Sequence, residues 1–458
     1  MPAETGELAG ETACPTKTGL AQLEETVETR RSILRKGATA AAGGVALQAN
    51  RVAGQTRGSS AGRKFRAFVR YRTGAQVEDL TLLPIQPREV VIRTQASAVC
   101  YTIVGQVLGT NNTARPSIPN HSGMGVVEEI GPLVKRVQVG DRVIIPGTPQ
   151  CGQCYHCLQG RSDWCQFLST APAHAMAEMP DGTPVFETGA LGGLSELMVV
   201  AEEYCCPVFT DVPAAELCLL GDTAGTGLAA GHNLAEIQPG WDVVVLGAGP
   251  VGMGAIQSAR IAGAAQIIAV EPIRYRREVA LKVGATLALD PIAEGNGLVD
   301  KIRELCKGKT DRRFAGGRAW GDDLFAVPRG PDFTIEAVGG DQFPPKVERG
   351  PDPTGILPLR QAWEFTRAGG HIVTLGFGQR GDVSFPASSF ANRGRTFHAG
   401  QQGGLNMMRD LPRYVRLIEK GLFDAKSLVT ATYPLERAKE AVQAVADRTT
   451  LGAVVVFE

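Results

Sequence analysis

The stretch Trp241–Gly252, WDVVVLGAGPVG, decides the fold because a β-branched run passes directly into a glycine-rich turn. Such a run is typical of a strand buried within a parallel sheet. Gly247 permits the tight turn, Gly249 lets the backbone approach a phosphate, and Gly252 lets the following helix pack closely on the strand. The N-terminus of that helix offers oriented N–H donors to a pyrophosphate. The pattern predicts a dinucleotide-binding site.

A second strand and an acidic residue follow the glycines at the distance this site requires. The chain holds 56 glycines, so the motif alone is weak and the order of strand, glycines, helix, strand and acid carries the prediction. The run QIIAVE ends at Glu271, whose carboxylate would bind the adenosine ribose hydroxyls and repel a 2′-phosphate. We therefore predict NAD, with NADP less favoured, although the arginines among residues 274–277 would tolerate that phosphate. Pro250, Val251 and Arg276 join the predicted cofactor site.

The overall composition limits the class of protein. At 458 residues the length suggests roughly three domains of about 150 residues, and 43% hydrophobic residues are ample for buried cores. Lys plus Arg and Asp plus Glu number 47 each, so no excess charge indicates a nucleic acid or a membrane surface as partner. Ten cysteines in this length are too few for a disulfide scaffold. These properties agree with a soluble two-domain enzyme, and the charge balance says nothing further about its partners.

A compact cysteine cluster occupies the segment CGQCYHCLQGRSDWC, residues 151–165. Its four cysteines are Cys151, Cys154, Cys157 and Cys165. Four thiolates so close along the chain can surround one ion tetrahedrally and hold together a lobe with too few apolar residues to fold unaided. We predict a structural zinc ion, with an iron–sulfur cluster or two disulfides as alternatives. His156 lies inside the cluster but is not needed as a ligand, and the adjacent Cys205 and Cys206 are predicted to be structural.

From about Phe65 to its C-terminus the chain resembles the medium-chain, zinc-dependent alcohol dehydrogenases. The resemblance is carried by GDTAGTGLAAG, GAGPVG, AGAAQIIAVE, VGATLALD, NHSGMGVVEEIG and the cysteine cluster. It implies an α/β protein in which a β-rich, GroES-like catalytic domain is interrupted by an inserted, doubly wound Rossmann domain. The expected divisions are a signal and linker at 1–64, the catalytic domain at 65–223 with its zinc lobe at 151–165, the Rossmann domain at 224–395, and a return to the catalytic domain at 396–458.

The resemblance also implies a catalytic zinc centre. Cys100 and His121 occupy the positions of the family's first two ligands, and Thr102 that of the hydroxyl that hands the alcohol proton away. The third position usually holds cysteine, but here it is Asp222. A Cys/His/Asp set with one open position still gives a tetrahedral catalytic site. A carboxylate in place of a thiolate should leave the metal a stronger Lewis acid.

The residues around these ligands depart from the family pattern. Tyr101, Ile103, Gly105 and Ser122 stand where the family often has polar or acidic residues that orient the ligands or relay the proton. The leading interpretation is an NAD-dependent, zinc-containing alcohol dehydrogenase that transfers a hydride between an alcohol and the cofactor. One alternative is a zinc-free carbonyl or enone reductase of the same superfamily with Tyr101 as the acid. Another is a non-catalytic dinucleotide-binding protein.

The first 64 residues contain a segment similar to a twin-arginine export signal. Arg30 and Arg31 form the pair, Ile33 and Leu34 follow, and Gly37–Ala49 is the short, weakly apolar region. That region is too short to span a bilayer, and residues 50–64 would serve as a linker. We predict a periplasmic or exported protein, the alternative being a cytoplasmic one whose tail happens to hold an arginine pair.

Export would affect how the cofactor is used, because little free NAD is available outside the inner membrane. An exported dehydrogenase would work best with one NAD kept bound through the cycle and an external electron acceptor. Lys307–Arg329 and Asp341–Gly355 are longer than the family's usual connections and could cover the nucleotide or build a subunit contact. His174 and Glu178 are expected to flank the substrate cleft. We also expect a homo-oligomer, a dimer or a tetramer.

Overall fold

The computed structural model describes residues 59–71, 74–109, 115–170, 174–187, 191–234, 236–306 and 330–458. These ranges belong to one compact unit, Thr56–Glu458. The twin-arginine-like pair and the predicted loop Lys307–Arg329 lie outside the described residues.

The strands of the described ranges are β1 Lys64–Tyr71, β2 Gly74–Leu82, β3 Glu89–Ala98, β4 Ser117–Ile118, β5 Gly123–Ile130, β6 Arg142–Ile145, β7 Ala177–Glu178, β8 Pro184–Glu187, β9 Leu197–Ala201, β10 Cys206–Pro207, β11 Asp242–Leu246, β12 Gln266–Val270, β13 Leu287–Leu289, β14 Phe333–Glu336, β15 His371–Thr374, β16 Thr396–His398, β17 Ala431–Pro434 and β18 Ala453–Val456. The α-helices there are Val104–Leu108, Tyr155–Leu158, Phe167–Thr170, Ala214–Leu217, Thr223–Ala229, Pro250–Ile261, Arg274–Val283, Pro291–Glu294, Leu298–Leu305, Ile356–Phe365, Ala387–Asn392, Met407–Glu419 and Ala438–Asp447. None of the helices that the structure describes is long and apolar enough to cross a membrane.

The sequence motif at Trp241–Gly252 lies at the centre of a parallel six-stranded sheet with the order β13-β12-β11-β14-β15-β16. β11 pairs with β12 on one side and with β14 on the other. Val243, Val244 and Val245 are fully buried, as expected for a strand covered by helices on both faces. The strand order reverses at β11, which is where a nucleotide binds in such a sheet. The predicted Rossmann-type domain is confirmed.

The catalytic part contains two further β structures. β1, β2, β7, β8 and β4 close into a small barrel, and β10, β6, β5, β3, β18 and β17 form a second sheet to which β9 adds through β3. β18 comes from the C-terminal end of the chain and pairs antiparallel with β3, with Val455 opposite Ser97. The chain therefore leaves the catalytic part, builds the parallel sheet and returns, as the predicted inserted arrangement requires.

The predicted return at residue 396 is placed too early. β16, Thr396–His398, pairs in parallel with β15, with Ile372 opposite Phe397, so these residues complete the Rossmann sheet and the return begins after His398. Three residues carry too little periodicity to reveal a strand, and the pairing depends on a partner about 25 residues earlier in the chain. The returning segment then forms the helix Met407–Glu419.

Candidate active site and cofactor cleft

Strand pairing brings the first two predicted metal ligands together. Cys100 follows β3, and His121 lies two residues before β5. β3 and β5 are antiparallel neighbours, with Ala96 opposite Met124, so the end of one strand and the start of the next share an edge of the sheet. This arrangement depends on the pairing of β3 with β5 rather than on the spacing of the two residues.

Asp222, the third predicted ligand, lies at the same edge because the backbone before it packs closely against the neighbouring segments. Asp222 directly precedes the helix Thr223–Ala229. A Cβ on Gly221 would lie 3.0 Å from the carbonyl oxygen of Ile145 and 3.4 Å from Cβ of Ser122, so glycine lets this segment pack tightly against the strands that carry His121. Asp222 is then only 9% exposed.

Ligand atoms from Cys100, His121 and Asp222 all lie within 4.8 Å of one another. Oδ2 of Asp222 is 3.1 Å from Nε2 of His121, and Oγ1 of Thr102 donates a hydrogen bond to Sγ of Cys100 over 3.1 Å. One thiolate, one imidazole and one carboxylate leave a fourth tetrahedral position free, which is the donor set of a catalytic zinc site. The residues present therefore fit the metal that the sequence predicts.

The charges around this centre favour a cation. Burial lowers the pKa of His121, but the negative charges of Asp222 and Cys100 outweigh it and hold that pKa well above its usual value. Burial likewise raises the pKa of Asp222, and the proximity of His121 brings it below the usual range. The electrostatic field of these side chains thus stabilises positive charge at His121, and the same field would attract a divalent metal ion.

The polar contacts around the predicted ligands differ from those that the family pattern would provide. Ile103 is fully buried, and the hydroxyl of Ser122 is buried without a hydrogen-bond partner in the described part of the chain. Gln342 instead fixes the segment after Cys100. Its Oε1 accepts from the N–H of Gly105 over 2.7 Å, its Nε2 donates to the carbonyl of Tyr101 over 2.8 Å, and its N–H donates to the Tyr101 hydroxyl over 2.9 Å.

One cleft joins the predicted ligand Cys100 to the glycine-rich turn. Its lining includes the predicted cofactor residues Gly247, Gly249, Pro250, Val251, Glu271 and Arg276, together with Cys100 and Thr102. The turn at one end and the ligand Cys100 at the other therefore face a common space. A dinucleotide with its adenosine end at Glu271 would extend toward the predicted metal centre.

The glycines of the turn have the geometry that this binding mode needs. Gly247 has φ of +86°, which is left-handed. A Cβ on Gly252 would lie 1.9 Å from the carbonyl oxygen of Gly247, so only glycine lets the helix start here. A Cβ on Gly249 would meet only Nη1 of Arg276, at 3.8 Å. The backbone at Gly249 is thus open to a phosphate, and a side chain there would fill the space.

The carboxylate of Glu271 is hydrogen-bonded to the glycine-rich turn. Its Oε2 accepts from the N–H of Ala248 over 2.7 Å and its Oε1 accepts from the N–H of Ile273 over 3.0 Å. Of the three arginines at 274, 276 and 277, Arg276 alone lines the cleft, and its Nη2 donates to the carbonyl of Thr450 over 3.2 Å. Arg277 lies 3.2 Å from Asp290 in an ion pair. The carboxylate expected to bind a ribose is therefore preorganised by backbone donors.

The predicted loop Asp341–Gly355, which we call the strap, crosses this cleft. Asp341, Gly350, Pro351 and Asp352 line it. Asp341 forms an ion pair with Arg448, and Nζ of Lys346 lies 2.8 Å from Oδ2 of Asp447. The strap is thus fastened to the C-terminal part of the catalytic region while it faces the nucleotide turn. The strap therefore lies where a loop that covers a bound cofactor would have to lie.

The four-cysteine cluster forms a second candidate metal site. Its sulfur atoms all lie within 4.8 Å of one another, with Sγ of Cys151 3.9 Å from that of Cys157 and Sγ of Cys154 4.0 Å from that of Cys165. A tetrahedron with Zn–S bonds of about 2.3 Å requires S···S distances of about 3.8 Å. These separations fit four sulfur atoms around one zinc ion rather than two disulfides, in which bonded sulfur atoms lie about 2 Å apart. His156 contacts the ring of Tyr155 instead.

Other predicted residues lie away from both sites. Nε2 of His174 is 3.1 Å from Oε1 of Glu89, and neither His174 nor Glu178 lines the cofactor cleft. Cys205 and Cys206 are fully buried and belong to neither metal cluster. Gln342, Arg448 and Gln402 were not predicted from the sequence, because their partners are distant in sequence. No local motif marks these three residues.

Family models match two parts of the chain. Residues 86–210 match the alcohol dehydrogenase GroES-like domain, and residues 250–348 match the zinc-binding dehydrogenase model. Among curated proteins, S-(hydroxymethyl)glutathione dehydrogenase from Escherichia coli O1:K1 / APEC is 28% identical over 390 residues, covering 82% of this chain and 95% of that protein.

Solved structures show the same architecture. An alcohol dehydrogenase zinc-binding domain protein from Burkholderia ambifaria superimposes with a TM-score of 0.73 at 26% identity, covering 86% of this chain and 99% of the other. Benzyl alcohol dehydrogenase from Acinetobacter calcoaceticus gives a TM-score of 0.70 at 24% identity, covering 86% and 100%. Together with the fold and both cysteine-containing sites, the two family matches and these relatives support the zinc-type, medium-chain alcohol dehydrogenase family and an alcohol oxidoreductase activity.

Proposed function

We propose that this protein is an NAD-dependent, zinc-containing alcohol dehydrogenase that interconverts a small alcohol and its aldehyde or ketone. The observation that carries the proposal is the convergence of Cys100, His121 and Asp222 within 4.8 Å, next to a cleft whose other end holds the glycine turn. A non-catalytic dinucleotide-binding protein would have no need for this donor set beside the nicotinamide end of its ligand.

Each part of the cleft has a distinct task in this reaction. Cys100, His121 and Asp222 would hold a zinc ion, which supplies Lewis acidity that lowers the pKa of the substrate hydroxyl. Thr102 lines the cleft beside Cys100, so its hydroxyl is placed to accept the substrate proton and pass it outward. The glycine turn and Glu271 orient the dinucleotide so that its nicotinamide faces the substrate carbon for hydride transfer.

A metal count together with an activity panel tests this proposal. The expected result is two zinc ions per chain, one held by the four cysteines and one by the Cys/His/Asp set, with NAD-dependent oxidation of at least one alcohol. One zinc per chain with reduction of a carbonyl or enone would instead establish the zinc-free reductase with Tyr101 as the acid. One zinc and no turnover on any alcohol or carbonyl would indicate a non-catalytic protein.

We further propose that the NAD is retained through the catalytic cycle. The support is the strap Asp341–Gly355, which lines the cleft and is tied to Tyr101, Asp447 and Arg448. Denaturing the desalted protein and assaying the supernatant should release close to one nicotinamide nucleotide per chain, and turnover should need an artificial electron acceptor. Empty protein that reduces added NAD freely would contradict retention and leave an ordinary exchanging dehydrogenase.

We also propose that the protein is exported by the twin-arginine route and that it forms a homo-oligomer. A twin-arginine route carries folded proteins, which suits an enzyme that must acquire its nucleotide before export. Replacing Arg30 and Arg31 together by lysine should retain the protein in the cytoplasm, and unchanged fractionation would exclude the route. The expected dimer or tetramer is measured by light scattering of the same preparation.

A further inference from the structure

Gln402 makes hydrogen bonds with every polar atom of its side-chain amide. Nε2 donates to the carbonyl of Gly221 over 2.9 Å and to Oδ1 of Asp222 over 3.2 Å. Oε1 accepts from the N–H of Thr148 over 3.0 Å and from its hydroxyl over 2.8 Å. Two donor hydrogens and two acceptor lone pairs are the full capacity of a glutamine amide. The side chain is therefore fixed in one orientation.

The identity of its partners determines which end of the amide faces Asp222. The backbone N–H of Thr148 can only donate, so it requires the oxygen of Gln402, and the carbonyl of Gly221 can only accept, so it requires the nitrogen. The N–H of Gln402 must consequently point toward Oδ1 of Asp222. The other carboxylate oxygen, Oδ2, faces His121 at 3.1 Å. The two oxygens of Asp222 thus have different partners.

The backbone around Gln402 reinforces this contact. Gln402 has φ of +47° and ψ of +42°, a left-handed conformation that glycine adopts without strain and glutamine does not. The following residue, Gly403, packs so closely that a Cβ would lie 2.1 Å from the carbonyl oxygen of Thr226. That carbonyl belongs to the helix Thr223–Ala229, which begins directly after Asp222. The turn is therefore seated on the helix that carries the predicted ligand.

We propose that Gln402 is a positioning residue for the metal centre: its amide holds Oδ1 of Asp222 so that Oδ2 alone faces the site shared with Cys100 and His121. This inference rests on the proposed function of Asp222 as a zinc ligand. A carboxylate can present one oxygen or two to a metal, and a tetrahedral centre with an open position needs only one. Gln402 supplies the orienting hydrogen bond that Ile103 and Ser122 do not provide here.

Two variants of Gln402, with a control variant at the neighbouring Gln401, test the inference by measuring metal binding rather than activity. Gln402→Gly removes the amide and relieves the left-handed backbone, and Gln402→Glu keeps an acceptor for Thr148 but places a carboxylate oxygen against Asp222. The exposed neighbour Gln401 provides the matched control, Gln401→Gly. Competition with a chelator should show catalytic-site zinc bound about 10- to 100-fold more weakly in both Gln402 variants, with the four-cysteine zinc retained. Gln401→Gly should bind both ions as the parent does.

The Asp222→Cys background shows whether Gln402 acts through the carboxylate. Sulfur offers no second donor atom for the amide to hold, so adding Gln402→Gly to this background should weaken zinc binding much less than in the parent. Cobalt(II) substituted at the catalytic site gives an independent spectroscopic readout of ligand geometry, which Gln402→Gly should alter and Gln401→Gly should not.

The outcomes distinguish a failure of the proposed role of Gln402 from a failure of the proposed metal centre. Unchanged zinc affinity in both Gln402 variants, with the second zinc lost in Asp222→Ala, would overturn the role of Gln402 and leave the proposed function standing. An equal loss with aspartate or cysteine at 222 would also overturn it, because Gln402 would then act on the turn and not on the carboxylate. Retention of both zinc ions in Asp222→Ala would instead reject the proposed metal centre itself.

Discussion

Oδ2 of Asp222 lies 3.1 Å from Nε2 of His121, although 101 positions separate the two residues in sequence. A buried carboxylate and an imidazole at this distance, with the sulfur of Cys100 close to both, form either an isolated polar triad or a metal site. Both possibilities hold the groups in place, but only the second makes their chemistry depend on a bound ion.

If Asp222 is the third ligand, Asp222→Ala should lose one of two zinc ions and abolish alcohol oxidation, because two protein ligands hold zinc poorly. Asp222→Cys should keep the ion and part of the activity, since thiolate is a good zinc ligand. Zinc analysis and initial rates on the purified variants measure both effects. Asp211→Ala, at an exposed position, is the control. Full metal content and full rate in Asp222→Ala would make this residue purely structural.

Cys154→Ser should remove the other zinc ion and lower the melting temperature. Three thiolates no longer close the coordination shell of the lobe at residues 151–165, whose folding depends on the metal. Calorimetry and zinc analysis report the loss, and any remaining folded protein should keep most of its intrinsic turnover. The control is Cys206→Ser, at a buried cysteine outside both clusters. It should keep both zinc ions whatever its melting temperature, and unchanged zinc content in Cys154→Ser would exclude the assignment.

Gln342→Ala should speed release of the nucleotide. Gln342 ties the strap to Tyr101 and Gly105 through three hydrogen bonds; the two from its side chain are lost. Each such bond contributes about 1 kcal/mol, so losing both should raise the dissociation rate roughly 30-fold. Stopped-flow measurement of nucleotide release is the readout, with the exposed Asp382→Ala as control. Equal release rates in parent and Gln342→Ala would show that the strap does not retain the cofactor.

Glu271→Gln should shift cofactor preference toward NADP. The substitution removes the negative charge that repels a 2′-phosphate but keeps an acceptor for the N–H of Ala248. The ratio of kcat/KM for NADP to that for NAD, or of the two dissociation constants if the nucleotide is retained, should rise about tenfold or more. Glu278→Gln, on the exposed face of the helix Arg274–Val283, should leave the ratio unchanged. A constant ratio in both would remove Glu271 from cofactor selection.

Thr102→Val should lower kcat by about 100-fold while both zinc ions stay bound, because valine matches threonine in shape but cannot carry the substrate proton. Rates at several pH values should show the loss shrinking as hydroxide becomes abundant. The exposed strand residue Thr396 provides the control Thr396→Val. A normal kcat in Thr102→Val would mean that the proton leaves by another route.

The sequence by itself determined the features that are encoded locally. The run Trp241–Gly252 specifies strand, turn and helix start within 12 residues, and the steric need for glycine at Gly252 follows from that turn. The four cysteines lie within 15 residues, so their spacing alone brings the sulfur atoms together. The Rossmann-type sheet and the cysteine cluster were therefore predictable without coordinates.

Only the tertiary structure decided which residues surround the predicted metal ligands. The amide of Gln402 reaches Asp222 across 180 positions, and Gln342 reaches Tyr101 across 241. The strand Thr396–His398 was missed because three residues carry no usable period, and its sheet partner supplies the hydrogen bonds that define it. Contacts of this kind depend on how whole sheets and helices pack. Hydrogen bonding between distant segments leaves no periodic trace in either segment, so their orientation emerges only once the core has formed.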